Sequence, residues 1–147
     1  MIQRDTIPAD QQLHTAIYDA LFEGVTAPIY DRIPDGGKAL EDSVTKMPYV
    51  VISSLQDTDR STLTTRGHRY EAHIIIYSDA GSRQEAYTLK RQVIEALDRN
   101  LFTLSDHYTV KARYLRGPVR IEAEPKMGRS FVRADIFFEY FTQVKPN

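Results

Sequence analysis

Between Pro48 and Leu97 the hydrophobic period of the chain changes from two to nearly four, and that change limits the folds open to it. Tyr49, Val51, Ser53 and Leu55 alternate with Val50, Ile52 and Ser54, the pattern of an extended strand over Pro48 to Leu55. Both faces begin apolar and turn polar, so the strand leaves a core as it proceeds. After a polar tip, Gln56 to Thr65, a return strand over Arg66 to Tyr77 reverses the gradient. Tyr70, Ala72, Ile74 and Ile76 form one of its faces, and Arg69, Glu71, His73, Ile75 and Tyr77 the other. Together the strands predict a long hairpin whose distal end projects from the body. Ala86, Leu89, Val93, Ala96 and Leu97 then trace one helical stripe. Ser82 and Glu85 make a capping box behind the turn Asp79-Ala80-Gly81, and Asn100 suits a terminator, which predicts a helix over Ser82 to Leu97.

The flanking segments complete one layer of each kind. Leu13, Ile17, Ala20 and Leu21 predict a first helix over Gln11 to Glu23, opened by Thr6, Pro8 and Asp10 and closed by Gly24. Val25 to Ile33 reads as a short extended piece, because Pro28 and Pro34 bias the residues before them away from helix. Asp35 to Met47 is a long polar loop, either a solvated linker or a functional segment. Thr109 to Leu115 alternates as a half-buried strand. Gly117-Pro118 interrupts it, so a bulge or an edge is expected there before Val119 to Ala123 resumes. Glu124 to Gly128 turns the chain into a last strand, Arg129 to Gln143. Val132, Ala134, Ile136, Phe138 and Tyr140 give that strand an unbroken apolar face. The opposite face holds Phe131, Arg133, Asp135, Phe137, Glu139 and Phe141, more aromatic than a solvated face needs, which predicts cover from a partner or a helix. The expected fold is α+β, one domain over residues 1–147: a mainly antiparallel sheet of about four to six strands with two helices packed on it.

Few chemistries are open to this set of residues. The chain has no cysteine, which excludes disulfides, thiolate metal sites and cysteine nucleophiles and fits a reducing cytoplasm. A formal net charge of −1 gives little general attraction for nucleic acid or an anionic membrane. The opening MIQRDTIPAD lacks a signal-peptide pattern, and the longest apolar run, Ile74 to Tyr77, is far short of the ~20 residues of a spanning helix. A soluble protein made in the cytoplasm is expected. His68 and His73 point to opposite faces of one strand, and Glu71 with His73 makes only two ligands, fewer than a zinc or iron site needs. Asp57 and Asp59 sit in a polar tip that gives neither a reason for a shifted pKa. Gly36-Gly37-Lys38 is too short for a phosphate loop, and no serine occupies a nucleophile elbow. No cofactor and no catalytic residue follow from the sequence.

One hairpin concentrates positive charge: Lys111, Arg113, Arg116, Arg120, Lys126, Arg129 and Arg133, against Glu122 and Glu124. Such a cluster can be a nucleic-acid-binding face or a basic edge that meets an acidic edge of another copy. The lack of interleaved aromatics and of a net basic charge favours assembly.

The order of these pieces resembles a known family. The opening helix is followed by Ile-Tyr-Asp-Arg-Ile (Ile29 to Ile33), Pro-Tyr-Val-Val-Ile (Pro48 to Ile52) and an apolar run into Tyr-Ser (Ile74 to Ser78). A helix opening Ser-Arg-Gln-Glu-Ala (Ser82 to Ala86) and a closing aromatic strand complete it. From Leu13 to Phe141 this is similar to the tail-completion, or tail-terminator, family of long-tailed phages, prophages and gene transfer agents. The resemblance implies a structural virion protein, made in the host bacterial cytoplasm, that sits at the head-proximal end of the tail. It implies a homo-oligomeric ring, usually hexameric, that stops growth of the tail tube protein and meets a head-completion or connector protein. DNA would pass through without being specifically bound, and no membrane is involved. Asp57, Asp59, Arg60 and Arg66 of the arm, with Arg113, Arg116, Arg120 and Arg133 of the basic hairpin, are then the expected contacts with a neighbouring subunit or the tube. The alternatives are a neck adaptor or minor tail protein, a nucleic-acid-binding module built on the Lys111 to Arg133 hairpin, and a small α+β enzyme.

Overall fold

Strand pairing is organised by one 16-residue strand, β6 (Arg129–Val144), which is bonded on both edges. The computed structural model describes residues 9–31, 47–59, 67–79, 83–98, 102–104, 107–124 and 129–144. In chain order they form α1 (Asp10–Gly24), β1 (Ile29–Tyr30), β2 (Tyr49–Asp59), β3 (Gly67–Ser78), α2 (Gln84–Asp98), β4 (His107–Arg116), β5 (Val119–Glu124) and β6. The sheet of six strands runs β1-β2-β3-β6-β4, with β5 also bonded to β6. Among the described residues the short β1–β2 pair is parallel and the pairings β2–β3, β3–β6, β4–β6 and β5–β6 are antiparallel. With two helices on it, this is the α+β architecture expected from the sequence.

β4 and β5 share one edge of β6. β4 pairs with residues 137–144 and β5 with residues 129–134. Arg116↔Phe137 and Val119↔Ala134 fall in one register, and the Asp135 N–H donates to the Pro118 carbonyl at 3.0 Å. Proline takes part as an acceptor only, which an edge strand tolerates. Gly117-Pro118 is therefore an edge interruption; the register shifts lie earlier, at Thr109/Lys111 and Tyr114/Arg116. Gly117 is there for room. A Cβ would stand 2.7 Å from the Tyr114 hydroxyl and 2.9 Å from Lys90 Cε, and Lys90 Nζ donates to the Gly117 carbonyl at 2.5 Å.

The helices cover one face of this sheet. Leu13, Ile17 and Leu21 of α1 and Leu89, Val93 and Leu97 of α2 are buried against Val50, Ile52, Ile74, Ile76, Ile136 and Phe138. Each such side chain contributes about 1.5–3 kcal/mol through its removal from water. Gly24 ends α1 as its last helical residue, and its small size lets the helices touch: an added Cβ would lie 2.9 Å from the Cβ of Ala96. The Thr26 N–H donates to Gln92 Oε1 at 3.0 Å and closes the same seam.

Several local expectations change. β2 continues through Gln56 to Asp59, residues expected in the tip, because β3 offers a backbone partner at each of them down to Asp59↔His68. A register shift between Ile52 and Ser54 also moves Leu55. Strict alternation puts Leu55 with Tyr49 and Val51, whereas it sits opposite Ala72 and packs on the helix-side core. Glu85 accepts a hydrogen bond from Ser78 Oγ at 2.6 Å and so ties α2 to the end of β3. Ser82, Asn100, the hairpin tip at 60–66 and residues 35–46 of the long loop lie outside the described residues.

Replacing Gly24 by valine should destabilise the chain by about 1–3 kcal/mol through overpacking of the helix seam. In urea unfolding, Gly24→Ala and Ala96→Gly should couple: the double variant is expected to be more stable than the sum of the two single losses. Simple additivity would show that the seam is looser than the geometry states.

Candidate interaction face

On the side of the sheet away from the helices, alternate residues of β6 emerge between arginines from both neighbouring strands. The register sets Glu71 of β3 directly across from Glu139 of β6. Like charges in that relation destabilise a sheet unless cations reach them. Here they do. Glu139, only 1% exposed, is paired with Arg69 Nη2 from β3 and with Arg113 Nη2 from β4 at 3.0 Å. Glu71 is met by Arg116 Nη2 at 3.5 Å.

A second cluster forms further along β6. Asp135 is 5% exposed, and its carboxylate accepts from His73 Nε2 at 2.8 Å and from Arg133 Nη2 at 2.9 Å, with Arg120 Nη2 at 3.6 Å. Burial acts to raise the pKa of Asp135, but the hydrogen bonds from Arg133 and His73 outweigh it and hold the carboxyl below its ordinary value. The hydrogen bonds that Arg133 donates to Asp135 correspondingly raise the pKa of Arg133.

Between the two clusters Phe137 is sandwiched. The His73 ring stacks on it at 4.4 Å with an interplanar angle of 11°, and the Arg116 guanidinium lies 4.0 Å from its centroid. At the other end Phe131 joins Tyr49, Val51, Ile75 and Tyr77 in a second buried cluster, separate from the helix-side core. Burial raises the pKa of Tyr77 despite the nearby Arg133 charge. Among the described residues no helix covers Phe131 or Phe137 on this face of β6. Phe131 is buried in its own cluster, and Phe137 is held between its sheet neighbours.

This geometry gives the basic hairpin acidic partners beyond its own Glu122 and Glu124. Arg113, Arg116, Arg120 and Arg133 each face a carboxylate, and three of the four acceptors, Glu71, Asp135 and Glu139, come from β3 and β6. A phosphate would have to displace those partners. The arm residues go elsewhere. Asp57 lies opposite Tyr70, hence on the helix side of the sheet, with its Oδ1 at 3.3 Å from His68 Nδ1. Asp59 is placed by its backbone pairing with His68, and Arg60 and Arg66 lie outside the described residues. The arginines and Asp57 are therefore not brought together but stand on opposite faces. His68 and His73 also part, as their spacing requires, and Glu71 and His73 are engaged by Arg116 and Asp135 respectively. Among the described residues no group of three or more His, Asp or Glu side chains is placed to hold a metal ion.

Comparison with known proteins adds to this geometry. The model of the family described as "Tail completion protein gp17" matches residues 11–139. A chain of the solved structure described as "Virion of native gene transfer agent (GTA) particle" is 22% identical. It aligns with a TM-score of 0.74 over 94% of this chain and 99% of that chain, so the fold is shared. No curated protein matches.

Arg69→Met should cost about 3 kcal/mol, because it leaves the buried Glu139 charge with only the half-exposed Arg113. Arg113→Met should cost less than about 1 kcal/mol, as that cation is largely in water. Urea unfolding of the two variants decides; equal losses would contradict the ranking. For Asp135, a depressed folded-state pKa means that its stabilisation is present above the unfolded value and lost as pH falls through the folded one. Stability should fall in acid below about pH 4, and Asp135→Asn should flatten that limb in a pH series of melting temperatures.

Proposed function

The chain belongs to the tail completion protein gp17 family, and we propose that it closes the head-proximal end of a tail tube as a ring of its own copies. Family membership makes it a structural component of a virion tail and not an enzyme. The ring reading rests on the two unlike edges of the sheet. Residues 9–31, which build α1 and the β1 edge, contain Asp10, Asp19, Glu23 and Asp31 and neither lysine nor arginine. The β4–β5 edge presents Arg113, Arg116 and Arg120, each already paired with a carboxylate yet more than half exposed at its side chain and so able to share its charge with a neighbour. An acidic edge and a basic edge on one molecule favour head-to-tail contacts, and such contacts close into a ring when the rotation allows.

Acting as a single domain, the ring stops addition of tube protein and presents a surface to a head-completion or connector protein, with about six copies as in the family it resembles. Asp57, Asp59, Arg60 and Arg66 of the hairpin reach the tube or the next subunit. DNA passes without being gripped. Carboxylate pairing of the outer-face arginines supports this, because their charge is already opposed.

Electron microscopy of particles assembled without this chain should show tails of unregulated length and unjoined heads. Addition of the purified chain should restore joining. Tails of normal length joined to heads in its absence would contradict the proposal. A ring of about twelve copies would move the assignment to a neck adaptor.

A further inference from the structure

Among the described residues, the exposed large hydrophobic side chains are Phe22 at 68%, Tyr30 at 37%, Tyr87 at 50% and Ile121 at 54%. Single exposed apolar residues are ordinary; these four fall in pairs on the two outer flanks of the helix layer. α1 packs over β1 and β2, and α2 over β3, β6 and β4, with Gly24 and Ala96 at the seam between them. Phe22 stands on the side of α1 away from that seam, stacked on Tyr18 at 6.3 Å. Beside it an open groove of about 360 Å³ lies between α1 and β1, lined by His14, Thr15, Tyr18, Ile29, Tyr30 and Asp31. Tyr87 occupies the matching far side of α2, next to Lys90, which reaches across to Gly117 on the β4–β5 edge. Ile121 lies opposite Val132, and Val132 opposite Ser78, whose hydroxyl bonds α2. Ile121 is therefore on the helix side of that same edge.

We propose that these two flanks are the two halves of one contact: the α1–β1 flank of one copy packs on the α2–β5 flank of the next. The proposal rests on the ring reading and names its interface. A head-to-tail contact needs two different patches on opposite sides of the subunit, each with an apolar centre, and here each flank supplies one. Charge selects a second copy as the occupant. Among the described residues the α1–β1 flank carries Asp10, Asp19, Glu23 and Asp31 and no lysine or arginine, whereas the opposite flank sets Lys90 and Arg91, with Glu95, beside its apolar pair. Arg91, with its side chain 82% exposed, makes an i,i+4 pair to Glu95 at 3.0 Å, a surface contact that yields readily. A groove lined by two tyrosines and an aspartate suits a guanidinium, so Arg91 of the neighbour is the side chain assigned to it.

The absence of native cysteine allows a direct test. A chain carrying Phe22→Cys and Tyr87→Cys, treated with a short bis-maleimide alone and on isolated tails, should give a ladder of covalent dimers, trimers and higher species. Each single cysteine variant should stay monomeric, because position 22 meets position 87 and not itself. In parallel, Phe22→Asp and Ile121→Asp, checked for native circular dichroism, should each lose every species above monomer. Mixed in equal amounts they should form dimers and stop there, since each retains one intact flank. Symmetric cross-links through a single cysteine, or assembly unaffected by either aspartate, would overturn the interface while leaving the ring reading in place. A wild-type chain that remains monomeric both in solution and on tails would overturn both.

Discussion

A buried carboxylate in the middle of a sheet has to be paired, and Glu139 is that carboxylate here. Unpaired, its burial would cost several kcal/mol; with Arg69 on one side and Arg113 on the other it becomes a brace across three strands. The same pairing fixes register. A slip of one residue in β6 would turn Glu139 and Asp135 into the helix-side core and bring Ile136 and Phe138 out. Apolar packing on one face and ion pairing on the other therefore select the same alignment, and the helices find their apolar seat only in that alignment.

Once both faces of β6 are occupied, the molecule has limited ways to meet others. The helix side of the sheet is filled by α1 and α2, and the outer side by ion pairs, stacked rings and the Tyr49–Tyr77–Phe131 cluster. What remains is lateral: the flanks of the helix layer and the two edges of the sheet. That geometry suits a part whose work is to contact copies of itself and a tube. It does not suit a phosphate-gripping surface, because the arginines that might have formed one are engaged by carboxylates of their own sheet.

Much of this was legible in the residues. The period-two runs of β3 and β6 and the 3.6-residue stripes of both helices are strong enough to specify the layers. Gly117-Pro118 left a bulge or an edge open, since proline cannot donate to a ladder, and the strand order makes it an edge. The register shift in β2 was not legible, because nothing in Ile52-Ser53-Ser54 distinguishes a bulge from regular alternation, and it was enough to send Leu55 to the other face. Nor were the ion pairs. Arg116 and Glu71, or Arg113 and Glu139, become neighbours only through a strand order that places β6 between β3 and β4. The outer flank of α1 did leave a trace: Tyr18 and Phe22 are four residues apart and fall outside the Leu13, Ile17, Leu21 stripe.

Hydrogen–deuterium exchange on the isolated chain and on the assembled form tests most directly whether one chain seals its own sheet and keeps its flanks for partners. Amides of β3 and β6 should be the slowest to exchange already in the isolated chain, with new protection on assembly falling on residues 18–31, 87–94 and 119–124 and on the hairpin arm at residues 57–66. New protection spread instead over the outer-face residues 69–73 and 133–139 would show that the ion-paired face is the one that meets the partner.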